Sequence, residues 1–261
     1  MADTPNTSPP NNQALIPIDE TFKIRIFDVD LHHRLSVPAL VNYLQELAWQ
    51  HSVLYKVSIN ELLPMGFSWV LSRMKIVVER WPKHGEIITV KTWIVNNDKY
   101  FCYRDFLVTD SQGKIIVRSS SVWGILDINR RRIVAVPPYI ADKFEYTEEQ
   151  KTPQFVLNFK LPIVQSTDIQ SKTTVRYHDL DINNHVNNML YFQWVVEAFE
   201  ADFLKENELQ EIDLAFRAES SLGDNILCLR EDLQDGNFAQ RLVNQDGKEL
   251  VTAKTLWAKR N

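Results

Sequence analysis

Asp181-Ile182-Asn183-Asn184-His185-Val186 decides how this chain is read, because Asp30-Leu31-His32-His33-Arg34-Leu35 echoes it in the first half. The correspondence runs on without a gap, setting Asn42-Tyr43-Leu44-Gln45-Glu46 against Gln193-Trp194-Val195-Val196-Glu197. Further along, Gly85-Glu86 stands against Gly223-Asp224, and the turn Asp110-Ser111-Gln112-Gly113-Lys114 against Asn244-Gln245-Asp246-Gly247-Lys248. Val117 to Trp123 then matches Val251 to Trp257. Self-similarity of this kind marks one structural unit used twice.

Each unit reads as a strand, a turn, a long helix and a series of strands. In the first, Val41, Leu44, Leu47 and Ala48 have helical spacing. In the second, a helix-like apolar run extends from Met189 to Leu204. Ile87 to Ile94 alternates two faces rich in β-branched residues, and Tyr100 to Val108 and Lys114 to Leu126 read as its partners. Ile212 to Ala218, Asn225 to Leu233, Phe238 to Asn244 and Leu250 to Lys259 repeat the series. The expectation is an α+β fold in which each unit is a long central helix wrapped by a curved antiparallel sheet. Residues 1–13, rich in Pro, Asn and Thr, read as a disordered tail, with no basic start or apolar stretch to suggest a signal peptide. The units then occupy 14–140 and 173–261, joined by a linker over 141–172 that prolines interrupt.

The bulk numbers narrow the function. The chain has 261 residues, 44% of them apolar, which is ample for a buried core. A net charge of −5 argues against a general nucleic-acid surface. No stretch approaches the roughly 20 apolar residues of a membrane-spanning helix. Cys102 and Cys228, far apart and outside any CxxC pair, suggest a reducing compartment such as the cytoplasm. No phosphate-binding glycine loop is present, so no nucleotide cofactor is expected. His178, Asp181 and His185 form an H-x2-D-x3-H string, but it crosses a strand-to-helix junction, and no metal is expected there.

The halves differ where chemistry would sit. The second has Asn183, His185 and Asn187 where the first has His32, Arg34 and Ser36. Only one half carries the full polar set, so one site per chain is expected, with the first half as scaffold and pocket wall. That set stands at the mouth of a helix, where free backbone N–H groups and a partial positive charge suit a developing oxyanion. Polar groups that move protons beside groups that hold negative charge point to acyl-group chemistry.

Asp179-Leu180-Asp181-Ile182-Asn183-Asn184-His185-Val186-Asn187-Asn188 resembles the signature of the acyl-ACP thioesterases of fatty-acid synthesis. Asp127-Ile128-Asn129-Arg130-Arg131-Arg132 and Phe216-Arg217-Ala218-Glu219-Ser220 resemble further segments of that family. The resemblance covers most of Phe22 to Lys259 and implies two tandem hotdog folds, in agreement with the duplication. It implies a catalytic set of Asp181, Asn183, His185 and Glu219. Plant members often have a cysteine beside the glutamate. Here Ser220 stands there, which removes a cysteine nucleophile. Plant members also carry a plastid transit peptide, and nothing here has its length or Arg-rich composition, so a bacterial-type member is expected.

The implied function is hydrolysis of fatty acyl-ACP to free fatty acid and carrier, which ends chain elongation. Asn183 and His185 would position and activate water, with Glu219 as base or as orienter of His185. Backbone N–H groups at the start of the helix at Asn188 would hold the oxyanion, and Asp181 either orients the site or attacks the carbonyl. Arg130, Arg131 and Arg132 read either as a solvated turn or as a docking site for the acidic carrier protein, whose phosphopantetheine arm delivers the acyl group. The first helix and Leu62 to Leu71 supply apolar groups for an acyl tunnel or for the core. An acyl-CoA thioesterase and a non-catalytic acyl-thioester sensor are the competing readings. The tandem already mimics a hotdog dimer, and two chains can still associate as a homodimer.

Overall fold

The computed structural model describes residues 17–143, 154–155, 157, 160–182 and 184–260. The N-terminal tail 1–13, part of the linker and Asn183 lie outside the described residues. Eleven strands form one antiparallel sheet. The first half runs β1 (Ile18–Lys23), α1 (Val37–Leu54), α2 (Ile59–Leu62), β2 (Phe67–Val78), β3 (Ile87–Asn97), β4 (Phe101–Asp110), β5 (Ile115–Asp127), β6 (Arg132–Val134) and α3 (Pro138–Ala141). The second runs β7 (Ile169–Thr174), α4 (Asn188–Val196), α5 (Ala201–Glu206), β8 (Asn207–Phe216), β9 (Asn225–Asp232), β10 (Asn237–Asn244) and β11 (Glu249–Lys259).

The strand order β1-β3-β4-β5-β2-β8-β11-β10-β9-β7 is a palindrome about the β2–β8 pair, with β6 appended to β5. Each half is a strand, a helix and a four-strand continuation, so the duplication in the sequence is a duplication in space. Strand β2 carries no assignment in the sequence reading, yet it closes the first half onto the second. Its buried positions, Leu71, Arg73, Met74, Ile76 and Val78, alternate only with a slip of one residue where the strand bulges between Leu71 and Arg73, and two of its polar residues, Arg73 and Lys75, face the seam, so the period-2 signal is blurred. Across the seam, Arg73 Nε and Nη2 grip Asp213 Oδ1 and Oδ2 at 2.8 and 2.7 Å. Trp81 Nε1 donates to the Leu209 carbonyl at 2.8 Å.

Ser36 starts α1, its hydroxyl accepting from the Ala39 N–H, with Pro38 in the first turn, where a missing N–H costs nothing. Leu40, Val41, Leu44 and Leu47 of α1 and Leu190, Phe192 and Val195 of α4 share one buried core that spans both halves. This core accounts for both apolar helix faces at once.

The run from Met189 to Leu204 does not form one long helix, which corrects the expectation for the second half. It breaks after α4 and resumes at α5. No glycine or proline causes the break. Arg230 Nη1 donates to the Ala198 carbonyl at 2.7 Å, and its guanidinium lies 4.4 Å from the centre of the Phe199 ring. Phe199 stacks on Phe203 at 4.6 Å and meets Phe238 and Trp257 edge-on or tilted at 4.9 Å each. Seating two phenylalanines on β10 and β11 outweighs the helical hydrogen bonds lost at the break.

Candidate active site

The two echoing segments fold into the same tight loop. In the second half, Leu180 and Val186 bridge, and the Asp181 N–H donates to the His185 carbonyl at 2.7 Å. The His185 N–H returns to Asp181 Oδ1 at 3.2 Å, and the Asn184 N–H donates to the Asp181 carbonyl at 3.0 Å. In the first half, Asp30 accepts from Arg34 and His33 in the same pattern, at 3.1 and 3.0 Å. Asn184 at φ 61° and His33 at φ 59° both take the left-handed conformation, which Asn tolerates better than most residues. Upstream, Asp28 and Asp179 close matching turns on the backbone N–H of Arg25 and Arg176, at 2.9 and 2.7 Å.

This scaffold fixes where the functional side chains stand. The Asp179 carbonyl accepts from the Asn187 N–H at 2.9 Å, which places the loop at the mouth of α4. Asn187 caps α4, its Oδ1 accepting from the Met189 N–H at 3.1 Å while its carbonyl takes the Leu190 N–H at 3.0 Å. The Asn188 N–H, ahead of these two, is a first-turn donor for which the helix itself supplies no acceptor. Asn188 Nδ2 donates to Gln45 Oε1 of α1 at 3.1 Å, so both helices meet at the site.

His185 Nε2 lies 3.6 Å from Glu219 Oε2, in the loop after β8. Arg131 Nη2 donates to the same oxygen at 2.7 Å. Arg131 sits at φ 52° in the turn between β5 and β6, so the first half delivers a cation onto a carboxylate of the second. All three arginines of the turn are exposed; Arg131 reaches across to Glu219, while Arg130 Nε lies 3.7 Å from Asp127 Oδ2. Of the four residues expected to act together, His185 and Glu219 come within reach of each other, and Asp181 is joined to His185 through the backbone. Asn183 lies outside the described residues.

Two hollows meet at this loop. An open cleft of about 770 Å³ is lined by Lys23, Arg25, Asn42, Glu46 and neighbours from β1 and α1. An inner cavity of about 270 Å³ is walled by Ala48, Val57, Trp69, Ile94, Trp123 and others. Gln45, Trp49, Asp181 and Asn188 line both. Much of the Leu62 to Leu71 stretch assigned to the acyl tunnel or the core turns out to be strand β2, from which Trp69 lines the cavity.

Ser220 is buried, and its hydroxyl lies 2.5 Å from Tyr191 Oη, which also accepts from the Ser220 N–H at 3.2 Å. Burial raises the Tyr191 phenol above its ordinary value, while the Ser220 hydroxyl and N–H pull it back. The pair ties the Glu219 loop to α4 and gives Ser220 a structural role. Burial pushes both cysteine thiols up to about 12, so neither supplies a thiolate at neutral pH. No group of three or more His, Cys, Asp or Glu side chains among the described residues is arranged to hold a metal ion.

The family models for the acyl-ACP thioesterase N-terminal and C-terminal domains match residues 17–144 and 164–259. The chain belongs to the acyl-ACP thioesterase family. A palmitoyl-acyl carrier protein thioesterase of Cuphea hookeriana is 27% identical over 93% of this chain. A dodecanoyl-[acyl-carrier-protein] hydrolase of Cinnamomum camphora is 28% identical over 91% of it. The chain spans about 62% and 66% of these two relatives' lengths. Among solved structures, an acyl-ACP thioesterase from Bacteroides thetaiotaomicron superposes with a TM-score of 0.84 at 25% identity, over 93% of this chain and 98% of that one. The fold is also that of a 12:0-ACP thioesterase from Umbellularia californica, with a TM-score of 0.82 at 24% identity, over 96% of this chain and 100% of that one. The two-unit α+β architecture expected from the duplication, and the tandem hotdog fold that the resemblance implied, are the family's own.

Sequence reasoning missed Arg131 as a member of the site, Gln45 as the contact between α1 and α4, and Arg104 in the cavity wall. Arg104 had a legible signal, being a charged residue on the strand face of Cys102, Phe106 and Val108, whereas Gln45 shares its helix face with Asn42 and stands out from nothing. Arg131 had none, because only the left-handed turn aims it at Glu219.

Proposed function

We propose that this chain hydrolyses fatty acyl thioesters carried on acyl carrier protein, releasing free fatty acid and ending chain elongation. The observation that carries the reading is the position of Asp181 and Asn188, where an apolar-walled cavity meets an open polar cleft. The acyl chain lies in the cavity, the pantetheine arm in the cleft, and the thioester carbonyl between them. The names of the relatives, acting on palmitoyl- and dodecanoyl-carrier thioesters, support the carrier-bound substrate.

Asp181 is the carboxylate closest to that junction, and in this reading it attacks the carbonyl carbon. A C–O bond forms, the C–S bond breaks, and the sulfur leaves as the pantetheine thiol after taking a proton from solvent in the open cleft, which the carboxylic acid released in the second step gives back. The Asn188 N–H faces the oxyanion. Water activated by His185, which Glu219 and Arg131 hold in place, then hydrolyses the mixed anhydride and returns Asp181. Asn183 enters on the family resemblance, as the residue that positions the water.

The carrier's acidic surface docks on Arg130 and Arg132, both exposed and beside the site. Arg131 belongs to the same exposed turn, but it is left unchanged in the docking variant because losing its contact with Glu219 would alter the site as well. The two buried, unpaired cysteines support residence in a reducing compartment such as the cytoplasm.

Thiol release from acyl-ACP and from the matching acyl-CoA tests this reading. Wild type is expected to turn over acyl-ACP. The Arg130→Glu/Arg132→Glu variant is expected to show a KM for acyl-ACP raised at least fivefold, with acyl-CoA kinetics unchanged. An equal change for both substrates overturns the docking assignment, and no turnover of acyl-ACP overturns the activity.

A further inference from the structure

The catalytic cleft has a counterpart at the first-half loop. In the register of the sequence repeat, Asp181, Asn187 and Asn188 correspond to Asp30, Ser36 and Val37, and Asn42 and Glu46 to Gln193 and Glu197. Each first-named residue lines the open cleft at the mouth of α4. Each counterpart lines a separate pocket of about 320 Å³ at the mouth of α1. That pocket is larger than the inner cavity of about 270 Å³, so the first-half loop is more than scaffold.

The counterpart lacks the means to hydrolyse. Arg34 stands where the catalytic half has His185, and Trp81, in the register of Gly85 with Gly223, stands where it has Glu219. A guanidinium only donates, so it takes no proton from water. Binding without turnover is what such a pocket can do.

Its polar groups indicate the ligand. Asp30 Oδ1 is spent on the N–H groups of His32 and Arg34, at 2.8 and 3.1 Å. Glu208 pairs with Arg34 and lies 3.6 Å from Arg260 Nη1. Glu197 is exposed and accepts from Gln193 Nε2 at 2.7 Å. Arg260 Nη1 and His32 Nε2, by contrast, are buried and make no hydrogen bond among the described residues. Buried polar atoms nearly always have a partner, and each of these two can donate. Burial lowers the Arg260 pKa, Asp30 draws it back up and Arg34 lowers it again, so this guanidinium is short of negative charge. A carboxylate that reaches both would accept from each and supply that charge. Beyond the polar groups, Val196, Leu204, Leu209 and Trp257 form an apolar wall that suits a hydrocarbon body.

We propose that this pocket is a second site, binding without hydrolysis, for a fatty-acid carboxylate of the kind the catalytic site releases. The carboxylate meets His32 and Arg260, and the chain lies along Leu204, Leu209 and Trp257. It does not follow the path of the inner cavity, because Phe199 and Phe203 stand in the register of Ala48 and Ser52, which line that cavity. The inference rests on the thioesterase reading for the identity of the ligand as product, and the pocket chemistry stands without it.

Two measurements on the whole chain test it. Calorimetry with dodecanoate, below its aggregation concentration, is expected to count two molecules per wild-type chain. The second is expected to bind at least tenfold more weakly as dodecanol, and at least tenfold more weakly in His32→Leu, with acyl-ACP turnover retained. Crystals grown with 12-bromododecanoate, which need no variant, are expected to place one bromine beside Leu204 and Trp257. One dodecanoate per wild-type chain, or a second bromine elsewhere, overturns the site and leaves the thioesterase reading standing. A second site that takes dodecanol as tightly, or that ignores His32→Leu, overturns the carboxylate assignment. If acyl-ACP is not hydrolysed while dodecanoate still fills the pocket, the thioesterase reading falls and the site remains.

Discussion

Replacing Arg73 with methionine tests how the two halves are held together. The Arg73 side chain is 3% exposed and that of Asp213 8%, and the pair crosses the β2–β8 seam by two hydrogen bonds. Methionine keeps most of the volume but takes both charged hydrogen bonds from the buried Asp213 carboxylate, leaving only the cross-strand lysines Lys75 and Lys254 as cations near it. Breaking such a pair costs about 3–5 kcal/mol. Unfolding entropy of about 2.1 cal/mol/K per residue gives roughly 0.5 kcal/mol/K for a chain of 261 residues. The expected fall in Tm is therefore about 5–9 °C. Differential scanning calorimetry of wild type, Arg73→Met and Arg73→Met/Asp213→Leu reads it directly. The double variant should recover most of the loss, because removing both charges also removes both desolvation costs. A single variant within about 2 °C of wild type, or a double variant no more stable than the single, refutes the reasoning.

Ser220→Ala should retain kcat within about threefold, since the hydroxyl is buried against Tyr191 and faces no substrate. A hundredfold loss with the fold intact would make Ser220 part of the chemistry. Glu219→Gln should lower kcat by about 10²–10⁴, with circular dichroism unchanged, because it removes the carboxylate that holds His185. Asp105 predicts a pH dependence. Burial raises its pKa from 3.8 to about 6, against the pull of the Ser120 hydroxyl and the Gln154 N–H. The folded state thus holds this proton more tightly than the unfolded, so the stability it brings is present at low pH and is lost as pH rises from about 4 through about 6. A shift of that size is worth roughly 3 kcal/mol. Asp105→Asn, neutral throughout, should gain Tm on wild type by about 3–4 °C more at pH 7.5 than at pH 4.5, since roughly a third of the effect is already spent at pH 4.5. An equal difference at both pH values would contradict this.

Much of the architecture was legible because duplication is a property of residue identity, and the two loops reuse it at the level of single hydrogen bonds. Asp30 and Asp181 each receive the N–H four residues on, and His33 and Asn184 each turn left-handed. What escaped depends on tertiary contact. The break between α4 and α5 has no breaker residue and follows from Arg230 and the Phe199 cluster. Strand β2 slips its alternation by one residue at a bulge near Arg73, a feature of its pairing rather than of its composition. Glu219 lies in a loop with no periodicity, so only the family resemblance pointed to it. Arg131 reaches Glu219 across 88 positions of sequence, through a turn whose shape a linear reading does not reveal. Ser220 was legible only as a departure from the family, and its pairing with Tyr191 gives that departure a structural meaning.

The central claim is that one of two nearly identical loops carries the hydrolysis. Steady-state thiol release from dodecanoyl- and palmitoyl-ACP, measured for Asp181→Ala beside Asp30→Ala, tests it most directly. Both substitutions remove the loop acceptor for the N–H four residues on, and Asp30→Ala also gives up the His32 N–H, so a structural cost alone would weigh at least as heavily on Asp30→Ala. The account predicts that Asp181→Ala loses at least a hundredfold in kcat while Asp30→Ala stays within a few fold of wild type. Equal losses, or none in either, would contradict it.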